Sequence, residues 1–156
     1  MSLKRRVLLK RTMAGSAVGV AVSAGLLHPT SVMAAWPKAA FGADSAADAV
    51  AKLYGASDAA PSGEIQIKAP DIAENGAVVP VSVRTTLKNV ESIAIIVEKN
   101  PSPLAASFTL SPGAQGYVST RIKMGKTSNV LAVVKADGKL YSASKEVKVT
   151  IGGCGG

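Results

Sequence analysis

The chain of 156 residues holds one cysteine, Cys154, and one histidine, His28. Cys154 stands in "GGCGG", residues 152–156, with Gly152, Gly153, Gly155 and Gly156 around it. A thiol can form and break sulfur–sulfur bonds, bind a soft metal or attack a carbonyl. His28 lies in the first 34 residues, which read as a removable leader. Without it no imidazole remains to activate a serine or cysteine nucleophile, and no histidine-containing metal site can form. One cysteine cannot build a four-thiolate cluster. No metal ligand set and no resident cofactor are therefore expected.

The four glycines carry no side chains and visit both signs of φ freely. Ordering them costs entropy, so the segment is expected to be mobile and thin. Three extended residues beyond Ile151 reach roughly 10 Å. No Lys, Arg or His neighbours the thiol, and the C-terminal carboxylate is close. A thiol near the reference pKa of about 8.5 is only a few per cent thiolate at neutral pH. The chain thus offers a sulfur handle and leaves its activation to whatever the tail enters. These residues alone leave three readings open: a covalent carrier, an intermolecular disulfide, and an inert residue. The sequence "CGG" does not fit prenylation, which needs aliphatic residues after the cysteine.

The carboxylates Asp71, Glu74, Glu91 and Glu98 fall in turns or at strand ends, where solvated charge is the ordinary reading. No glycine pattern follows a strand and opens a helix, so a phosphate cradle is not expected. The chain is therefore not expected to be an enzyme in its own right.

The formal charge is +8, but five of the 18 basic residues, Lys4, Arg5, Arg6, Lys10 and Arg11, lie in the leader. The other 13 face 10 acidic residues, a balance of +3. They are scattered, and aromatics make up only 4% of the chain, so nucleic-acid binding is not expected.

The leader begins "LKRRVLLKRT". Arg5 and Arg6 before Val7-Leu8-Leu9-Lys10 resemble a twin-arginine export signal. The apolar stretch Met13–Leu27 is 15 residues long and rich in Gly and Ala. That is short of the about 20 apolar residues a spanning helix needs. Pro29 breaks it, and "SVMAA" offers small residues for cleavage, best after Ala34, with Ala35 the alternative. A signal over residues 1–34 implies a periplasmic protein with no membrane anchor after cleavage.

Residues 35–62 read as an N-terminal helical segment. Trp36–Ala43 is a lead-in. "DSAADAVAKLYG", Asp44–Gly55, is one helix, capped by Asp44 or Ser45 and stopped by Gly55. Ala47, Val50, Ala51 and Tyr54 form its apolar face, with Leu53 at the edge. From Gly63 the period changes to two. Seven runs follow, in "EIQIKAP", "AVVPVSVRTTL", "SIAIIVEKN", "LAASFTLSP", "GYVSTRIKM", "NVLAVVKAD" and "KLYSASKEVKVTI". "SIAIIVEKN" is apolar enough for a central strand. Pro80 argues for an edge or a bulge. Val118, Thr120, Ile122 and Met124 face inward, and Asp137-Gly138 makes a hairpin. The fold class is mainly β: an immunoglobulin-like antiparallel β-sandwich of about seven strands over residues 63–151. One N-terminal helix precedes it and a mobile tail, residues 152–156, follows.

With these residues in view, the C-terminal "GGCGG" after "KVTI" resembles the SoxY family, the sulfur-carrier subunits of the bacterial sulfur-oxidising (Sox) system. "IKAPDIAENGAVVPVSV", "IAIIVEKNPSPLAASF", "STRIKMGKTSNV" and "VKADGKLYSASKEVKVTIGGCGG" extend the likeness over Phe41–Gly156. The resemblance implies that Cys154 is the covalent attachment point. It implies a SoxZ-like β-sandwich partner in a heterodimer. A c-type cytochrome complex would ligate thiosulfate to Cys154, giving a cysteine S-thiosulfonate. A manganese-dependent hydrolase would release sulfate, and a molybdenum-containing sulfane dehydrogenase would oxidise the sulfur left behind. The chain itself would carry none of these cofactors. Ile93–Val97 or the helix face of Val50 and Tyr54 could touch the partner, though core is the simpler assignment for each.

Overall fold

The structure is a computed structural model and describes residues 37–150. Two helices come first, α1 (Lys38–Phe41) and α2 (Ala46–Tyr54). Nine strands follow: β1 (Ala60–Pro61), β2 (Ile65–Lys68), β3 (Ile72–Ala73), β4 (Val79–Thr85), β5 (Val90–Val97), β6 (Leu104–Thr109), β7 (Tyr117–Ile122), β8 (Ser128–Ala136) and β9 (Lys139–Val149). The larger sheet runs β1-β9-β8-β5-β6, with β3 also on β9; the smaller runs β2-β4-β7. Among the described residues no helix is long and apolar enough to cross a membrane.

Alternation drives the small sheet. In β4, Val79, Val81, Val83 and Thr85 are buried, while Pro80 and Arg84 are exposed. In β7, Val118 and Ile122 turn inward, Met124 beyond the strand is buried, and Tyr117, Arg121 and Lys123 face out, as expected. Against these pack Ile93, Ile95 and Val97 of β5, Val130, Ala132 and Val134 of β8, and Val147 of β9. Each fully buried Val or Ile contributes about 1.5–3 kcal/mol. A core of mainly aliphatic side chains, joined by Met124 and flanked by Phe108 and Tyr141, holds the two sheets together without a disulfide.

β5 reads as a continuous apolar run because both of its faces are covered. Ile93, Ile95 and Val97 enter the core between the sheets. Ala94 and Ile96 point the other way, with Val133 and Leu104, into a second core beneath the helices. Ile93–Val97 is thus fully buried, and Val50 with it. Neither is free to touch a partner.

The helix expected over Asp44–Gly55 is present as Ala46–Tyr54. The Ser45 hydroxyl accepts from the Asp48 amide at 3.1 Å, and Gly55 ends the helix at φ 77°. Val50, Tyr54 and Leu53 of the expected face lie in the second core, but Ala46 and Ala49 stand there in place of Ala47 and Ala51. Ala49 and Val50 are buried, Ala46 and Leu53 pack beside them, and Ala47 is exposed. Ala46, Ala49, Val50 and Leu53 follow the i, i+3, i+4, i+7 stripe. The run of alanines left the exact stripe undetermined by hydropathy alone. The lead-in over Trp36–Ala43 contains a turn of helix, α1, so two helices replace the one expected. Ala40 and Ala43 are buried with α2, and the Ser102 hydroxyl donates to the Phe41 carbonyl at 2.5 Å.

All seven expected strands are present, and the order is mainly antiparallel. Two short parallel additions were not expected. β1 lies beside Tyr141 and Ser142, and β3 beside Lys148 and Val149, both along the outer edge of β9. They cap an edge that would otherwise invite further pairing. Pro80 is not at a bulge and β4 is the central strand of its sheet. However, β2 pairs β4 only from Ser82 to Thr85, so Pro80 stands past its end, at a local edge. At the β8–β9 turn, Asp137 (φ 50°) and Gly138 (φ 70°) take the left-handed geometry of a two-residue hairpin.

Candidate functional site: the root of the C-terminal thiol segment

The expected attachment residue Cys154, its neighbours Gly152, Gly153, Gly155 and Gly156, and the export residues Arg5 and Arg6 lie outside the described residues. What the structure places is the point from which the C-terminal segment departs. β9 continues past its pairing with β8, which ends at Val147. Lys148 and Val149 are then held by β3 instead.

Four hydrogen bonds fix this last stretch. The Lys148 amide donates to the Asp71 carbonyl at 3.0 Å, and the Thr150 amide to the Ala73 carbonyl at 3.1 Å. The Val149 amide donates to the Thr127 hydroxyl at 2.9 Å. The Thr150 hydroxyl also reaches the Ala73 carbonyl, at 3.5 Å. Backbone bonds net about 1 kcal/mol each, so Thr150 is a firm base rather than a frayed end.

Gly76 closes the clamp. Its carbonyl accepts from the Met124 amide at 2.7 Å. A β-carbon built on it would sit 2.3 Å from the Met124 carbonyl oxygen and 2.8 Å from Val149 Cγ1. Only glycine lets three chain segments approach so closely. The turn "ENG" was legible as a turn, but this steric requirement was not, because Met124 and Val149 are distant in sequence.

Loops gather at the same end. The Asn100 side chain donates to the Lys123 carbonyl at 2.7 Å and accepts from the Gly125 amide at 3.1 Å. The Ser128 hydroxyl accepts from the Lys99 amide at 3.0 Å. The tail therefore leaves a braced rim.

Asp71, Glu91 and Glu98 make surface contacts. Asp71 pairs with Lys145 at 3.0 Å, and Lys145 also donates to the Ala69 carbonyl at 2.7 Å. Glu91 pairs with Lys135 at 2.7 Å and accepts from the Gly138 amide at 2.9 Å. Lys135 first, then Gly138, hold its carboxyl below the usual range. Glu98 accepts from the Asn129 side chain at 3.0 Å, and Glu74 is exposed. Among the described residues no three of His, Cys, Asp and Glu gather where they could hold a metal ion.

The family model for the sulfur oxidation protein SoxY matches residues 50–154. The chain belongs to the SoxY family. The sulfur carrier protein SoxY from Chlorobium limicola f thiosulfatophilum is 50% identical, over 67% of this chain and 94% of that one, with a TM-score of 0.61. A superoxide reductase (neelaredoxin) from Ignicoccus hospitalis shares the fold alone, at 20% identity and a TM-score of 0.50, over 55% of this chain and 79% of that one. No curated protein matches the chain at a significant level. The SoxY match covers both sheets and α2 from Val50, and it runs through position 154.

Proposed function

We propose that this SoxY-family chain is a periplasmic covalent carrier of thiosulfate-derived sulfur, with Cys154 as the attachment point. The observation that carries the reading is the family match extending through Cys154. The Chlorobium relative is described as a sulfur carrier protein. The braced root at Thr150 supports it too. Four residues beyond a fixed base give the thiol a reach of roughly 14 Å, enough to enter a neighbouring active site while the sandwich stays outside.

In the cycle proposed, the Cys154 thiolate and the sulfane sulfur of thiosulfate join by a sulfur–sulfur bond. Two electrons leave to a c-type cytochrome partner. Water then cleaves the terminal sulfone on a manganese-dependent hydrolase, releasing sulfate and protons and leaving a persulfide on Cys154. A sulfane dehydrogenase oxidises that sulfur further. A SoxZ-like sandwich accompanies the chain, and a twin-arginine signal at Arg5 and Arg6 exports it. The chain contributes attachment and presentation; the chemistry resides in the partners.

Intact-mass analysis of protein purified from thiosulfate-grown cells tests this. Adducts of sulfur and sulfonate mass are expected on Cys154. Cys154→Ser is expected to lose thiosulfate-dependent turnover in a reconstituted pathway with its melting curve unchanged. A reducible dimer without small adducts, or full turnover by the serine variant, overturns the proposal.

A further inference from the structure

The outer face of the small sheet is bare and basic. Lys68 of β2, Arg84 of β4, Arg121 of β7 and Lys123 just beyond β7 are exposed there. Strand register sets Lys68 beside Ser82, Arg84 beside Tyr117, and Arg121 beside Pro80. The ion pairs among the described residues are Lys52–Asp48, Lys135–Glu91 and Lys145–Asp71, and none involves these four. Of the nearby carboxylates, Glu64 just before β2 accepts from the Thr86 hydroxyl at 3.4 Å, and Asp71 is paired with Lys145.

The face is also built to bind. The Arg84 guanidinium stacks 5.2 Å from the centre of the Tyr117 ring, which holds it ready. A groove of about 610 Å³ runs along Lys68, Pro80, Ser82, Arg84 and Tyr117. Tyr117 is 44% exposed and Val78, just before β4, is 50% exposed; both are among the large apolar side chains left in solvent. Tyr and Arg amid a polar surround are the residue types that anchor protein interfaces. The basic stripe ends at Lys123, next to Met124, whose carbonyl abuts Gly76 at the tail root.

We propose that this face docks the acidic surface of partner proteins, holding them where the C-terminal segment can reach in. The last clause rests on the carrier reading; the docking does not. Its strands of four, seven and six residues, at about 3.3 Å per residue and about 4.8 Å between strands, cover roughly 270 Å². That is well under the about 800 Å² per partner of a standard stable interface. The contact is therefore transient and salt-sensitive, as a carrier visiting several enzymes in turn requires.

An octaglutamate peptide is the probe, titrated into the 15N-labelled protein and followed by NMR. Amides of Lys68, Ser82, Arg84, Tyr117, Ser119 and Arg121 are expected to move, while those of Ala49 and Val133 stay still. Raising salt from about 20 to about 200 mM should weaken binding at least tenfold. The double variant Arg84→Gln/Arg121→Gln should weaken it about tenfold or more, and Lys88→Gln/Lys139→Gln less than about twofold. Equal losses in the two double variants, or shifts spread over all lysines, overturn the proposal. So does displacement by inorganic sulfate at matched ionic strength, which marks a small-oxyanion site. Shifts produced by phosphatidylglycerol vesicles and not by the peptide also overturn it. Cys154→Ser should bind the peptide as the parent does, so this result and the carrier test fail independently.

Discussion

The two outer faces of the sandwich carry opposite solutions to the same problem. On the large sheet, Ala94, Ile96, Val133 and Leu104 point outward, and α1 and α2 cover them. On the small sheet, the corresponding positions are Lys68, Ser82, Arg84, Ser119 and Arg121, with nothing above them among the described residues. A buried outer face adds stability and removes surface. A bare one keeps surface for others at little cost in stability. The difference separates a face that adds to the fold from the face proposed above to meet partners.

Two tyrosines report the contrast. Tyr54 of α2 lies over the large sheet, its hydroxyl 3.2 Å from that of Ser92. Burial raises its phenol above the ordinary value, against the smaller opposing effect of Ser92. Tyr117 lies on the small sheet, where the Ser119 and Ser82 hydroxyls, then Arg84 and Lys68, lower its phenol below that value.

The largest effect is expected on the covered face. Ile96→Asp places a carboxylate where no water reaches, and should cost more than about 4 kcal/mol, enough to abolish a cooperative urea transition. If the variant keeps its midpoint, the helices do not seal that face. Gly76→Ala is next. Its methyl must displace the Met124 carbonyl and Val149, at about 1–3 kcal/mol, with hydrogen-exchange protection lost first at Val149 and Thr150. Intact protection there would mean the tail root is not clamped.

Smaller effects are expected at the helix cap and on the exposed face. Ser45→Ala removes the cap of α2 and should lower stability by about 1 kcal/mol in denaturant titration. Arg121→Gln on the bare face should change stability by less than about 0.5 kcal/mol in the same titration; a larger loss would give that face a structural duty. The last difference is one of sign on alkaline titration. Tyr54 is ionised less readily folded than unfolded, so its contribution holds below the unfolded phenol value of about 10 and is lost as pH rises through the folded one. Tyr117 has the reverse sign: its contribution appears as pH rises from its folded value toward about 10. Ultraviolet titration of Tyr54→Phe and Tyr117→Phe should remove a late and an early component respectively; the opposite order would contradict the assignment of the two faces.

Cys154 as the lone thiol, the absence of histidine beyond residue 28, the seven main strands and the stop at Gly55 are all set by the sequence, which left the N-cap open between Asp44 and Ser45. Composition and side-chain period are local properties, and a chain states them residue by residue. Tertiary structure alone decided which stripe of α2 is buried, since alanine fits a core or a surface equally well. It alone placed β1 and β3, which are too short to show a period. It alone joined Ala73 to Thr150, 77 residues apart, and made Gly76 obligatory between Met124 and Val149. Those contacts depend on which distant segments meet, and no local pattern records a meeting across the fold.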